Sequence, residues 1–524
     1  MTAAPIRSAG LWRPLQSSIF RNLLIANVVS DVGTFMQSVG AAWLMVSLNG
    51  GPLFVALIQT AAALPFFVLA LPAGAIDDIF DRRKVILYSE IWMVSIAFVL
   101  TAITLAGKMS PALLLVLTFA LSAGDAFEAP TWRAVLPELV QKEDLAAASA
   151  LNGIEFNFAR AVGPALGGVL IAIVGVGSSF LINLISFFGV IVVVARWRRT
   201  VISRSTPPET VAGATVAAVR FIRYSPVIRA VLLRFGATMF FASGLLALLP
   251  SVAHRANGGA LGYGALLGVF GCGAVLGALL MPAVRSRWSI DVIISVGIGV
   301  FGVATVAAGL FHRLFPLTIV LLICGSAWIF FISLFNVQVL NQAPDWVRAR
   351  ALAITMLVFQ GAVALGSAAW GTVAVHVGLS NALVYAGVGT IVSTVLGLFF
   401  RLSDRSIDLT PWNHWRLPSV VDVDTDTGRP VLVTVEYQLQ PGASSEFISA
   451  IGQYGRLRRR DGAVRWGVCR DAEMPGRYLE TFIVSSWAEH LRQHDRAVCA
   501  DQQIEDRVRN CVQNEPVVRH LVFI

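Results

Sequence analysis

Gly74-Ala-Ile-Asp-Asp78-Ile-Phe-Asp81-Arg82-Arg83-Lys84 is a short polar stretch between two apolar runs, at approximately 53 to 76 and 85 to 106. Each run has about the 20 residues that a helix needs to cross a hydrocarbon core of about 30 Å. Two such runs joined by so short and charged a turn read as a membrane hairpin. The pattern continues in both directions. Breaks at charged or Gly/Pro/Asn clusters give twelve spans, at approximately 20 to 47, 53 to 76, 85 to 106, 111 to 136, 146 to 173, 178 to 195, 227 to 252, 261 to 284, 290 to 310, 315 to 340, 350 to 375 and 380 to 401.

Composition excludes several other classes. Of 524 residues, 56% are apolar and 14% charged, and the mean hydropathy is +0.72. Soluble domains carry about 25% charge, so an ordinary cytosolic enzyme is excluded. The only lysines are Lys84, Lys108 and Lys142, none in a GxxxxGK[ST] context, which argues against an ATP-driven pump of the usual kind. Cys272, Cys324, Cys469, Cys499 and Cys511 form no CxxC pair, which speaks against a zinc ribbon, a thioredoxin-type site or a disulfide scaffold. The first apolar run is too long for a signal-peptide core and is expected to be retained. Residues 1–400 hold 24 Lys and Arg against 14 Asp and Glu, and the remaining 124 hold 16 against 17. The basic excess therefore belongs to the membrane part, and no nucleic acid partner is needed to explain it.

With the N-terminus inside, the inner segments hold nineteen Lys and Arg, from Arg7, Arg13 and Arg21 to Arg348 and Arg350, and the outer ones only Lys108, Arg255 and Arg313. The positive-inside rule then places both termini in the cytoplasm of a cell membrane, inner or plasma. The longest break, Arg196 to Pro226, contains Pro207, Pro208 and an expected surface helix at Val211 to Tyr224. It separates six spans from six. An offset of 203 pairs Gly33 with Gly236, Gly74 with Gly277, Gly163 with Gly366, Gly168 with Gly371 and Gly175 with Gly378, as two homologous halves would. The expected organisation is an N-terminal half (1–195), a central loop (196–226), a C-terminal half (227–402), a linker (403–429) and a tail domain (430–524).

The Gly74 to Lys84 stretch resembles the loop signature of the major facilitator superfamily, Gly-x-x-x-Asp-Arg-x-Gly-Arg-Arg-Lys, with Ile79 in place of the first Arg and Asp81 in place of the second Gly. The resemblance implies a gating loop in which Gly74 permits close helix approach, Asp78 faces a helix N-terminus, and Arg82, Arg83 and Lys84 stay with the headgroups. Gly163-Pro164-Ala-Leu-Gly167-Gly168 in span 5 is similar to the core of the superfamily's exporter motif, with Ala159 where that motif has another Gly. Phe20-Arg-Asn22, Ser30-Asp31-Val-Gly33, Met36-Gln37 and Trp43-Leu-Met45 are similar to the siderophore-exporter branch of the enterobactin type. These likenesses, over roughly residues 10 to 402, imply a secondary transporter that exports a small amphiphilic molecule, siderophore or drug-like, by alternating access. It would need no cofactor and no metal.

Ionisable groups inside a span are costly and read as functional by default. Asp31, halfway along span 1, is the leading candidate for proton coupling, and the offset of 203 places Arg234 at its symmetry-related position, where the two could face each other. Glu155 and Arg160 lie in span 5, where Arg160 suits an anionic group of the substrate or a carboxylate of another helix. Asp125 and Glu128 share a helix face in span 4. Gln37, Gln59, Asn183, Asn336, Gln338 and Gln360 are expected cavity groups, and Trp43, Trp328 and Trp370 could stack on an aromatic ligand.

From Pro430 the pattern is that of a soluble domain. Strands at Val431 to Leu439, Val464 to Arg470, Tyr478 to Ser485 and Val517 to Phe523, with helices at Ser444 to Arg459 and Trp487 to Arg509, give a βαββαβ ferredoxin-like sandwich. The segment from Tyr478 to His494 is similar to antibiotic-biosynthesis-monooxygenase-like domains, which implies self-association through the sheets. His490 and His494 stand one turn apart, as two metal ligands could, but no third ligand is evident. Two other classes stay open at this point: a membrane-anchored enzyme whose tail modifies a compound, and a receptor whose tail senses one.

Overall fold

The computed structural model describes residues 10–197, 211–402, 404, 407–412 and 428–523. Arg7, Pro207, Pro208 and most of the linker at 403–429 lie outside the described residues, as do the surroundings of Gly74 and the side chain of Asp78.

Among the described residues, twelve helices are long and apolar enough to cross a membrane. They are α1 (Ser18–Ser47), α2 (Gly51–Ile79), α3 (Arg82–Leu105), α4 (Pro111–Leu139), α5 (Leu145–Val174), α6 (Val176–Arg196), then, after the short amphipathic α7 (Val211–Tyr224), α8 (Pro226–Arg255), α9 (Gly259–Arg285), α10 (Ile290–Leu310), α11 (Leu314–Gln342), α12 (Asp345–Val377), and α13 (Leu379–Ser393) continued by α14 (Leu396–Phe399). The starts follow from capping chemistry: Ser17, Asp81, Ser110 and Ser289 each accept a hydrogen bond from a backbone N–H of the first turn. The repeat extends to the turns. Gly175 (φ 103°) parts α5 from α6, and its partner by the offset of 203, Gly378 (φ 85°), parts α12 from α13 in the same left-handed conformation.

The chain divides into two compact units. The first holds α1 to α6, α8 from Leu233, α9, α10, α11 as far as Phe335, α12 from Met356, and α13 with α14. The second gathers α7, the first turns of α8, the end of α11, the start of α12 and the tail domain.

The tail consists of β1 (Val431–Gln438), α15 (Ser444–Asp461), β2 (Arg465–Arg470), β3 (Arg477–Val484), α16 (Trp487–Asp495), α17 (Cys499–Asn510) and β4 (Val517–Val522). The sheet is antiparallel throughout, in the order β2-β3-β1-β4. Alternate residues of β1 and β3 face the helices, so Val431, Val433, Val435, Phe482 and Val484 form the core with Phe447 and Ile451 of α15. The single helix expected from Trp487 to Arg509 is broken into two. Val498 is extended and pairs with Pro411, while Trp412 donates to Ala497 O and the N–H groups of Cys499 and Ala500 donate to Thr410 O and Asp408 O. A short ribbon from the linker thus claims the backbone groups that a continuous helix would have used.

Candidate functional site

Within the first unit lies a cavity of about 1020 Å³. Phe35, Phe66, Phe158, Phe270, Trp328 and Phe359 make it largely apolar, and Gln37, Gln59, Asp125, Asn157, Arg160 and Gln360 are among its polar groups. Trp43, Asn183 and Trp370 do not line it. Asn183 donates to Gln37 Oε1 at 2.6 Å, and the indole N–H of Trp370 donates to Phe240 O at 3.0 Å. Among the described residues no carboxylate comes within 4.0 Å of the Arg160 guanidinium, so a cation stands in the wall without a counter-ion.

Beside the cavity the N-terminal helices carry a set of carboxyl groups. Asp31 of α1 meets Glu155 of α5, and Glu90 of α3 meets Glu128 of α4, each pair carboxyl to carboxyl. Four acidic side chains are thus gathered, two by two, in the interior of the N-terminal helices. Asp125 lines the cavity and lies within electrostatic reach of Asp31 and of both members of the second pair. Glu128 also accepts from the Trp132 indole. Glu90 was absent from the sequence-based candidates. Its signal was an acid in the interior of span 3, the same criterion that singled out Asp31.

Arg234 does not face Asp31. Its guanidinium is buried in the other half, donating to Asp291 of α10, to Phe400 O at 3.0 Å and to Ser295 Oγ at 3.2 Å. The symmetry-related position serves as a clamp between α8, α10 and the end of α14, because Asp291 offers it a nearby carboxylate that Asp31 does not.

In the loop motif, Asp81 is the N-cap of α3 and accepts from Lys84 N at 3.2 Å, which accounts for an acid where the superfamily signature has Gly. Arg82 pairs with Glu138 of α4 at 2.8 Å and donates to Ala134 O. Arg83 donates to Val194 O at 3.0 Å and Ala195 O at 2.6 Å, capping the last turn of α6. Two of the three basic residues thus tie helices together, and Lys84 alone is exposed.

The helix-5 motif is a packing surface with two faces. A Cβ on Gly163 would lie 2.6 Å from Phe35 Cβ, and one on Gly167 3.0 Å from Met36 Cα, so these glycines seat α5 on α1. Gly168 faces the other half. A Cβ there would come within 2.8 Å of Gly264 Cα, and one on Gly264 within 2.7 Å of Gly168 Cα. The two helix backbones touch directly. A second contact between halves puts Gly371 of α12 against Ala56 and Leu53 of α2. Both contacts fall late in α5 and α12 and early in α9 and α2, hence toward the same end of the bundle.

In the tail, His490 and His494 meet Nε2 to Nε2 at 3.2 Å. Among the described residues no group of three or more His, Cys, Asp or Glu side chains is arranged to hold a metal ion.

Twelve spanning helices in two repeats around one central cavity define a secondary transporter of the major facilitator type. The chain belongs to the transmembrane secretion effector family, which it matches over residues 9–524. It is 22% identical to the staphyloferrin A transporter of Staphylococcus aureus over 400 residues, covering 73% of this chain and 96% of that one. It is 25% identical to the multidrug efflux pump Tap of Mycolicibacterium fortuitum over 410 residues, covering 74% and 96%. A shorter match of 264 residues, at 26% identity and covering 50% and 62%, relates it to the enterobactin exporter EntS of Salmonella typhimurium. Among solved structures, the fold resembles a bacterial homolog of the human lysosomal transporter Spinster in its inward-facing, unoccupied conformation (TM-score 0.57, 14% identity, 76% and 96% covered). It also resembles the nucleoside transporter NupG (TM-score 0.57, 12% identity, 74% and 100% covered). The chain is thus a multi-pass membrane transporter and not an enzyme.

Proposed function

We propose that this transporter is a proton-coupled exporter of a small amphiphilic molecule that carries an anionic group. The observation that carries the reading is the lone Arg160 guanidinium in a large apolar cavity whose wall also holds Asp125. An apolar body fits the aromatic lining, and an acidic substituent supplies the missing counter-ion. The relatives that transport staphyloferrin A and export enterobactin accord with such cargo.

Coupling is assigned to the Asp31–Glu155 pair, with Asp125 between it and the cargo. Negative charge arriving at Arg160 alters the field at Asp125 and, through it, the hold of the pair on its proton. The nineteen-to-three distribution of basic residues supports cytoplasmic termini in a cell membrane. In that orientation the Gly168–Gly264 and Ala56–Gly371 contacts close the outer end of the bundle, and export requires them to part while the halves rock. Self-association belongs to the same reading: the sheet face turned away from the helices leaves Leu479, Val517, Leu521 and Phe523 exposed.

The test is proton flux in proteoliposomes under an imposed pH gradient, with hydrophobic drugs and siderophores as added cargo, comparing the native chain with Asp31→Asn. Cargo-dependent flux that the substitution abolishes is expected. Undiminished flux in the variant removes Asp31 from the coupling mechanism.

A further inference from the structure

A second cavity, of about 300 Å³, opens inside the tail domain. Strand residues Val433, Val435, Phe482 and Val518 make its floor, and α16 makes one wall with His490 and Gln493. This size reaches the lower bound, about 300 Å³, of cavities that enclose small organic molecules.

The lining restricts the chemistry of an occupant. Burial, reinforced by the nearby His494 and His520, pushes His490 down to about 3, and burial lowers His520 as well. Near neutral pH the His490 and His520 rings therefore present uncharged imidazole edges. Arg458 reaches into the cavity but lies over the Tyr454 and Phe482 rings and pairs with the buried Glu480 at 3.4 Å. Glu505 receives the Tyr454 hydroxyl at 3.1 Å and Arg509 at 2.8 Å. Asp461 and Asp501 are held by Arg460, and Glu515 adds a further carboxylate to the lining, so an anionic ligand would lose water without gaining a counter-ion. A neutral ring with one or two hydrogen-bonding groups meets no such penalty.

The same nine-residue helix has a second set of contacts. Next to His490 in sequence, Glu489 pairs with Arg220 of α7 at 2.8 Å and with Arg496 at 2.6 Å. The Arg496 guanidinium covers the ring of Trp346, at the start of α12, at 4.7 Å. Phe221 of α7 packs edge-on against that indole at 5.4 Å. A displacement of α16 by an occupant of the cavity is therefore felt at α7 and at the first turn of α12.

We propose that the tail cavity is an effector site for a neutral, ring-bearing amphiphile, and that α16 relays its occupancy through Glu489 and Arg220 to α7. The regulatory consequence rests on the exporter reading above; the binding and the relay do not.

The test is hydrogen–deuterium exchange of the full chain in nanodiscs, with naphthol as the neutral probe and naphthoate as its anionic counterpart. Naphthol is expected to slow exchange in α16 and α7 by at least about threefold. Naphthoate at the same concentration should leave both unchanged. Val518→Trp, which fills the cavity, should remove both effects, and Arg220→Ala should keep the protection of α16 while losing that of α7. Absence of protection in α16 of the native chain, or equal protection by naphthoate, overturns the site. Protection of α7 that survives in Arg220→Ala overturns the relay. These two arms do not depend on how well Val518→Trp folds. None of the readouts needs transport, so a chain that moves no cargo would refute the exporter reading alone.

Discussion

The two halves of the bundle are copies in topology and opposites in chemistry. The N-terminal half buries carboxyl groups against one another, Asp31 with Glu155 and Glu90 with Glu128. At the position related to Asp31, the C-terminal half places Arg234 and ties it to Asp291, Ser295 and Phe400 O. A charge with a fixed partner is a structural pin. On the proposed reading, a carboxyl pair that holds a proton can change state, and the repeat divides into a half that responds and a half that holds.

The largest expected effect breaks that division directly. Asp31→Asn should abolish coupled flux while leaving the fold intact, because an amide still donates to Glu155 without a shared proton; circular dichroism and flux measured on the same preparation check both halves of the statement. Next comes Arg234→Met, which removes the guanidinium that pairs with Asp291 and should destabilise the bundle by about 3 kcal/mol, read as a lower unfolding midpoint in detergent. The double variant with Asp291→Leu should recover most of that loss and transport almost normally. If it does not, Arg234 has a role beyond pinning. Arg160→Gln should raise the half-saturation concentration for anionic amphiphiles about tenfold and change that for neutral ones little, which competition assays on vesicles distinguish.

The smallest effect concerns the tail. His490 is pushed down to about 3 by burial. Against an unfolded value of about 6.5, the unfolded tail binds the extra proton, so this stability is complete above pH 6.5 and is lost as pH falls toward 3. Glu489 acts in the same direction: burial alone would raise it, but the hydrogen bonds and charges of Arg496 and Arg220 outweigh burial and hold it low. Acid titration followed by tryptophan fluorescence should show the tail unfolding earlier than the helices, and His490→Phe should move its midpoint down by about half a pH unit.

Much of this architecture was legible beforehand because hydropathy, basic-residue asymmetry and strand alternation are periodic signals. Twelve spans, the surface helix over Val211–Tyr224 and the βαββαβ order all follow from such signals. What sequence could not supply was partnership. Arg82 reads as a headgroup anchor until Glu138 is seen beside it, and Arg234 reads as a cavity residue until Asp291 is found. Residue Glu489 carries no mark of its own, since its meaning lies in Arg220, 269 positions away. The break in the last tail helix was invisible for a related reason. Arg496, Ala497 and Val498 are no helix breakers, and the ribbon that interrupts them comes from residues 408–412.

The crossing of Gly168 on Gly264 has a consequence for speed. Knobs of Leu or Phe would have to withdraw from their holes, passing through strained rotamers, each time the halves separate. Here one peptide backbone rests on another, with no side chain between them. Their parting has no interlocked side chains to withdraw, so in the exporter proposed above this crossing adds no rotamer barrier to the rocking of the halves.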